Sequence, residues 1–451
     1  MQHIAIIGGG LCGAVTAINL LRSGQEYLVT VFEKERRQFL KGPAYSSTLP
    51  HQLLNVPAMA MSLFDEAPDD FTEWIREKGL HHRFKATDFV PRSLFGEYVE
   101  DRFEVVRNSA DSIINTEFTA VSGIEKDGDG WLLLTGDGRK IFAHQVILCF
   151  GNLPPRELSV TKGLNTDPFI INNPWEGSFL KEIRKDDEVL IVGSGLTMVD
   201  IVLSLHRQGH EGKISVLSRR GYLPHPHGAA PVYGLKLEEK FNTGTALGIL
   251  SWLRAEAKLA QMQGASWISV INAIRDLTPG LWQALPEHEK QRFLRHLKPF
   301  WEIHRHRVPG ESLDLIMELQ QEGKLNRIAG RIVSIRKEGS LFQTSYHPRG
   351  SKQVKECTSK WLINCTGPDA NPAASGNVLV SQLLRAGIIV PDATGTGLEL
   401  PSGTKGIYLA GPPAKGTYWE CTALREIRQH AVAICEFVAK AAIRNRISIR
   451  A

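Results

Sequence analysis

Two stretches decide how this chain is read: IAIIGGGLCGA, Ile4 to Ala14, and VLIVGSGLTMVD, Val189 to Asp200. Each is a short apolar run that breaks at glycine and goes on with helical spacing. A strand buried on both faces of a parallel sheet reads as such a run. The first copy carries Gly8, Gly10 and Gly13 in G-x-G-x-x-G order. The first glycine allows the tight turn, the second lets the backbone approach a pyrophosphate, and the third lets the helix pack closely on its strand. The helix start then offers unpaired N–H groups and a positive dipole end to the phosphates. AVTAINLLRSG continues as an amphipathic helix that ends at Gly24, and the strand YLVTVFEK places Glu33 at its tip, 20 residues past Gly13. A carboxylate there accepts hydrogen bonds from both ribose hydroxyls and repels a 2′-phosphate.

The second copy keeps Gly193 and Gly195, but Met198 stands where the third small residue belongs. Looser packing of helix on strand is the expectation. The next strand, KISVLSRRG, ends not in an acid but in Ser218, Arg219 and Arg220. Arginine forks match a 2′-phosphate and a hydroxyl completes the cradle, so the second loop reads as an NADPH site. The alternative is a solvated basic turn. Two nucleotide loops in one chain imply two dinucleotides with electrons passing between them.

Working outward, the 451 residues allow about three domain-sized units. At 42% hydrophobic and 22% charged the composition is that of an ordinary globular protein. A formal charge of +5 is too small to argue for nucleic acid and suits anionic small ligands. The first strand begins by His3, which leaves no room for a signal peptide, and no apolar run reaches membrane-spanning length. A cytoplasmic protein is expected. None of Cys12, Cys149, Cys357, Cys365, Cys421 and Cys435 forms a C-x-x-C pair, so they read as buried small apolar residues rather than a redox disulfide or zinc site.

VILCFGNLPP, Val146 to Pro155, and LINCTGPDANP, Leu362 to Pro372, are apolar strands that break at Gly151 and Gly367 and then at proline. Both glycines are counted among the cofactor-contacting positions. The expected organisation is α/β: two Rossmann-like dinucleotide-binding domains, the first (1–155 and 331–451) interrupted by the second (156–330). The second carries a helical segment at about 236–310. That segment holds the basic run Arg292, Arg295, His296, His304, Arg305, His306 and Arg307, which reads as a solvated helix face or as a positive wall for phosphates or an acidic substrate. His304 and His306 lack a third ligand, so no metal is expected.

The chain resembles the two-dinucleotide-binding-domain flavoproteins. More narrowly, it is similar to bacterial NAD(P)/FAD-binding proteins near the class B and N-hydroxylating monooxygenases. Besides GSGLTMVD, the stretches that carry the likeness are GPAYSSTLPHQLLNVPAMAMS (Gly42 to Ser62), FLRHLKPFWEIHRHR (Phe293 to Arg307) and GTYWECTALREIRQHA (Gly416 to Ala431). The resemblance implies FAD at Gly8, Gly10, Gly13 and Glu33, with Asn55 beside the flavin ring. It also implies a strand ending at Gly411, Trp419 near the flavin, and a helix starting near Thr422 whose positive end faces the ring and stabilises its reduced form. Gly411-Pro412 replaces the Gly-Asp of many relatives. PFIINNPWEG keeps Trp175 without the histidine of the Baeyer–Villiger fingerprint, which argues against ester-forming chemistry.

The resulting expectation is an FAD-dependent, NADPH-consuming monooxygenase that hydroxylates a small nucleophilic substrate, such as an amine, with dioxygen through a flavin C4a-hydroperoxide. An NAD(P)H:acceptor reductase and a non-catalytic flavin-binding redox sensor are the alternatives. No acid/base residue is singled out, and neither nucleic acid nor membrane is expected as a partner.

Overall fold

The computed structural model describes residues 1–47, 49–236, 241–369 and 371–448. Two parallel sheets organise them. In the first, β3 (Ile113–Glu117), β2 (Tyr27–Phe32), β1 (Gln2–Ile7), β7 (Gln145–Leu148) and β17 (Ile407–Leu409) lie side by side, all parallel. The apolar run of β1 is buried on both faces because period-two alternation sends its side chains two ways. Ile4 and Ile6 meet the helices Leu11–Leu21, Arg92–Ser109 and Leu424–Ser448. Ala5 and Ile7 meet an antiparallel sheet of β4 (Val121–Asp127), β5 (Gly130–Thr135) and β6 (Lys140–Ala143), with the helix Val378–Arg385.

The Leu11–Leu21 helix was expected to be amphipathic, yet ten of its 11 residues are buried. A helix wedged between a sheet and two further helices has no face left for water, so it is apolar almost all round.

The second sheet runs β13 (Lys355–Ser359), β12 (Leu341–Pro348), β11 (Leu325–Glu338), β10 (Ile214–Ser218), β9 (Val189–Val192), β14 (Trp361–Asn364) and β8 (Ile170–Ile171). Its strands from β11 to β8 are parallel, and β12 and β13 add an antiparallel edge. A short ribbon of β15 (Val390–Pro391) and β16 (Leu398–Glu399) lies in the returning chain.

The expected return to the first unit near residue 330 is corrected here. β11 runs through that position, and β14 pairs with β9, so the chain stays in the second sheet to Asn364. The physical reason is symmetry. β7 flanks β1 as β14 flanks β9, so LINCTG closes the second unit as VILCFG closes the first half.

Within the expected helical segment, residues 237–240 lie outside the described residues. From Ala246 to Arg305 the chain is a series of helices joined by short connections, including one π turn at Phe293–Leu297. It docks on the returning chain around Trp419, whose ring stacks on Trp282 at 4.8 Å. Trp282 Nε1 donates to the Gly416 carbonyl (2.7 Å) and Trp301 Nε1 to Glu420 Oε1 (3.0 Å). Trp419 has φ +62°, a left-handed conformation that costs a bulky residue energy, and this aromatic packing holds it there.

Candidate functional site

The two glycine loops are built alike. Gly8 has φ +102°, and a Cβ on it would lie 2.4 Å from the Cys149 carbonyl oxygen. Gly193 has φ +110°, and its Cβ would lie 2.2 Å from the Cys365 carbonyl. Each first glycine is thus demanded twice, by backbone conformation and by the end of the neighbouring strand. Gly13 is demanded by its own loop, since a Cβ there would meet the Gly8 carbonyl oxygen at 2.1 Å. Met198, at the matching place in the second copy, is fully buried among Val199, Val202 and Leu205, so its helix has room for a side chain.

No side chain caps either following helix, Leu11–Leu21 or Leu196–Arg207. Their first-turn N–H groups are left as anion donors. Gly195 has open space around it. Gly10 faces Gly42, whose Cα would be 3.2 Å from an added Cβ, and Leu40 N–H donates to the Gly9 carbonyl (2.6 Å), so the Phe39–Gly42 segment covers the first loop. Glu33 follows β2 directly and accepts from the Gly9 N–H through Oε2 and the Glu35 N–H through Oε1, both at 3.0 Å. Each oxygen keeps a lone pair for a further donor.

A cleft of about 1790 Å³ runs between the two units. Of the positions read from the sequence, Asn55, Gly151, Gly193, Gly195, Ser218, Arg219, Arg220, Gly367 and Thr422 line it. Gly8, Gly10, Gly13 and Glu33 sit outside its lining, as does Gly411, whose added Cβ would meet Cys12 Sγ at 2.9 Å. Trp419, expected near the flavin, has its ring in the apolar cluster with Trp282 and Phe293, outside the lining of this cleft. The helix expected near Thr422 begins at Leu424, and its first residues, with Thr422 and Ala423, border the cleft.

Ser194 Oγ donates to the Tyr222 carbonyl (2.6 Å) and lies 2.9 Å from Ser218 Oγ, which also accepts from the Gly221 N–H (3.0 Å). Arg220 lies over the Phe300 ring at 5.3 Å. Arg349, at the hairpin end of β12, joins Arg219 and Arg220 in the lining and lies over Tyr222 at 5.9 Å. The hydrogen bond from Arg349 pulls the Tyr222 hydroxyl below the usual phenol range. Sequence reading missed Arg349, because its only local mark is the turn His-Pro-Arg-Gly.

Asp200, the last residue of the motif that opened the reading, is paired with Arg92 across the cleft. The guanidinium reaches both carboxylate oxygens, at 2.8 and 3.2 Å, and its Nε donates to the Leu53 carbonyl. Burial raises the Asp200 pKa despite the opposing pull of Arg92. His227, from the YLPHPHG loop, also ties the walls together, with Nε2 donating to the Asn55 carbonyl at 2.6 Å; burial lowers its pKa. The basic stretch forms one wall of the cleft through Arg295, Lys298, Arg305, His306 and Arg307, joined by Arg275, Lys415 and Arg425. Among the described residues no three His, Cys, Asp or Glu side chains gather as a metal site.

Each of the two parallel sheets carries a glycine loop, and the second of these loops lines the cleft between the units. Residues 5–153 match a family model described as FAD-NAD(P)-binding. The chain is 23% identical to the uncharacterized protein YdhS of Escherichia coli (strain K12) over 273 residues, 51% of this chain and 48% of that protein, so the match spans about half of each. In fold it is similar to the ornithine N-hydroxylase of Kutzneria sp. 744, solved with reduced FAD, NADP+ and L-ornithine (TM-score 0.67, 16% identity, 99% of this chain and 100% of that one). It is also similar to L-lysine 6-monooxygenase from Pseudomonas syringae (TM-score 0.65, 14% identity, 98% and 99% covered). No helix among the described residues is long and apolar enough to cross a membrane.

Proposed function

We propose that the chain is a flavin-dependent, NADPH-consuming monooxygenase that hydroxylates a small molecule. The observation that carries the reading is the pair of uncapped helix starts with opposite chemistry at the following strand tips. One tip presents Glu33, and the other presents Ser218, Arg219 and Arg220. An acid suits a free ribose and arginines suit a 2′-phosphate, so the two sites sort FAD from NADPH. The fold is common to amino-acid hydroxylases and to a bacillithiol disulfide reductase, and the higher TM-scores of the hydroxylases (0.67 and 0.65 against 0.58) favour oxygen chemistry. We place the division between the units at Phe150–Pro155 and again after Asn364.

The residues present fit both groups. Gly8, Gly10 and Gly13 with the first-turn N–H groups would hold the FAD pyrophosphate and Glu33 its ribose. Gly193, Gly195 and the arginines would hold NADPH. When bound, the flavin supplies the redox and dioxygen chemistry, with NADPH as the electron source. The chain supplies the rest. Asn55, Gly151, Gly367 and Thr422 shape the shared cleft, and the Leu424–Ser448 helix start adds a positive end at its border. The Arg92–Asp200 pair holds the two halves in one register, and the helical segment covers one side against water.

The test starts with the purified protein, which should be yellow with releasable FAD. Anaerobic NADPH should bleach it, and oxygen should then be consumed in step with hydroxylated product when substrate is present. NADPH oxidation coupled fully to another acceptor, with no oxygen in the product, would reassign the protein as a reductase.

A further inference from the structure

The helical segment, with Trp419 of the returning chain, lines a second, half-open cavity of about 330 Å³, separate from the nucleotide loops. That size falls within the roughly 300–1,000 Å³ of small-molecule pockets. Its walls are almost wholly apolar, with Ile249, Leu253, Trp267, Leu281, Trp282 and Phe293 among them. Arg254, Thr278 and His304 are the polar exceptions. Ile271 lines both this chamber and the cleft, so the two adjoin at that wall.

Beside that wall stands Arg307, 6% exposed and lining the cleft. Its terminal nitrogens donate to Asn272 Oδ1 (2.6 Å) and weakly to the His304 carbonyl (3.4 Å), its Nε has no partner, and it makes no ion pair among the described residues. Its neighbours are cations with ion-pair partners: Arg275 binds Glu426, and Arg305 lies 3.2 Å from Glu420 and 3.6 Å from Glu426, although its Nε and Nη2 have no hydrogen-bond partner. Three guanidiniums therefore face two carboxylates. Burial, with Arg305 and Arg275 nearby, pulls the Arg307 pKa down to about 10. A buried cation without a counter-charge is costly, and a ligand anion would relieve it.

We infer that this chain takes an amphipathic carboxylate, with its anionic head on Arg307 and its apolar body passing Ile271 into the helical chamber. A diamine would leave that chamber unfilled and the guanidinium unmatched, and an amino acid with a polar side chain would match the guanidinium but leave the chamber unfilled. The assignment names the substrate class for the activity proposed above and rests on that reading for the chemistry alone. Binding can be measured without turnover.

The experiment is calorimetric titration of the full-length oxidised flavoprotein with hexanoate, octanoate and decanoate, and with decanol and decylamine. Each added methylene buried should tighten binding about fourfold. Decanoate should bind more tightly than decanol, and decylamine should be weakest. Arg307→Gln should weaken decanoate about tenfold or more while leaving decanol unchanged, and Arg307→Lys should retain part of the preference. Leu253→Trp, which fills the chamber, should remove both ligands while flavin content shows that the variant is folded. Affinity that is flat with chain length would overturn the inference. So would a preference for decylamine, or an Arg307→Gln variant that loses NADP+ binding but keeps decanoate. Decanoate binding by these rules in a protein whose flavin NADPH does not reduce would sink the proposed activity alone. Turnover on another substrate with no decanoate binding would sink this inference alone.

Discussion

On the NADPH reading proposed above, removing the arginines at the tip of β10 should leave a protein that barely distinguishes NADPH from NADH. Arg219 and Arg349 are exposed, whereas Arg220 is half-buried and braced against Phe300. A charge-assisted hydrogen bond contributes about 1.5–3 kcal/mol, and exposure places Arg219 and Arg349 at the lower end. At about 1.4 kcal/mol per factor of ten, Arg219→Ala or Arg349→Ala should lower kcat/KM for NADPH roughly tenfold. Arg220→Ala should lower it toward 100-fold, because its geometry is already fixed by the ring. NADH has no 2′-phosphate and should change little in all three variants. The assay is anaerobic flavin bleaching over a range of each nucleotide. Equal losses with NADPH and NADH would show the arginines to be structural and would remove the basis for the NADPH assignment.

Gly8→Ala should purify with little flavin, because the new Cβ meets the Cys149 carbonyl at 2.4 Å in a backbone with φ +102°; Gly24→Ala, also at positive φ but with nothing within 4 Å, should keep it. Flavin absorbance per protein reads both. Arg92→Ala strands a buried carboxylate and should cost about 3–5 kcal/mol in urea unfolding, whereas the double variant Arg92→Met, Asp200→Leu should regain much of the loss. Retention of wild-type stability by the single variant would exclude the pair as a clamp. Burial lowers the pKa of His3, His51, His210, His225, His227 and His430. These rings are held neutral in the folded state, so their contribution is intact above about pH 6.5 and is lost as pH falls through their folded values. The denaturation midpoint should therefore drop between pH 7 and pH 5, and His227→Gln should flatten part of that slope.

The sequence alone determined the two nucleotide loops and the contrast at their strand tips. Those features are local: a glycine's need for positive φ, an apolar strand and a helix start all lie within one short stretch, and Glu33 or Arg219 follows at a fixed distance. The aromatic and basic content of the helical segment was legible too, but not its use. Tertiary structure decided every pairing made across long chain separations. Arg92 meets Asp200 across 108 residues, and Trp282 meets the Gly416 carbonyl across 134. Trp419 turns away from the cleft because the helical segment brings Trp282 and Phe293 to its ring. The return at Asn364 rather than near 330 is a matter of which strand lies beside β9, which a single strand's apolar run does not encode. Arg307 carries the same charge as its neighbours in the sequence. Only the fold supplies carboxylates to Arg275 and Arg305 and leaves Arg307 buried without one.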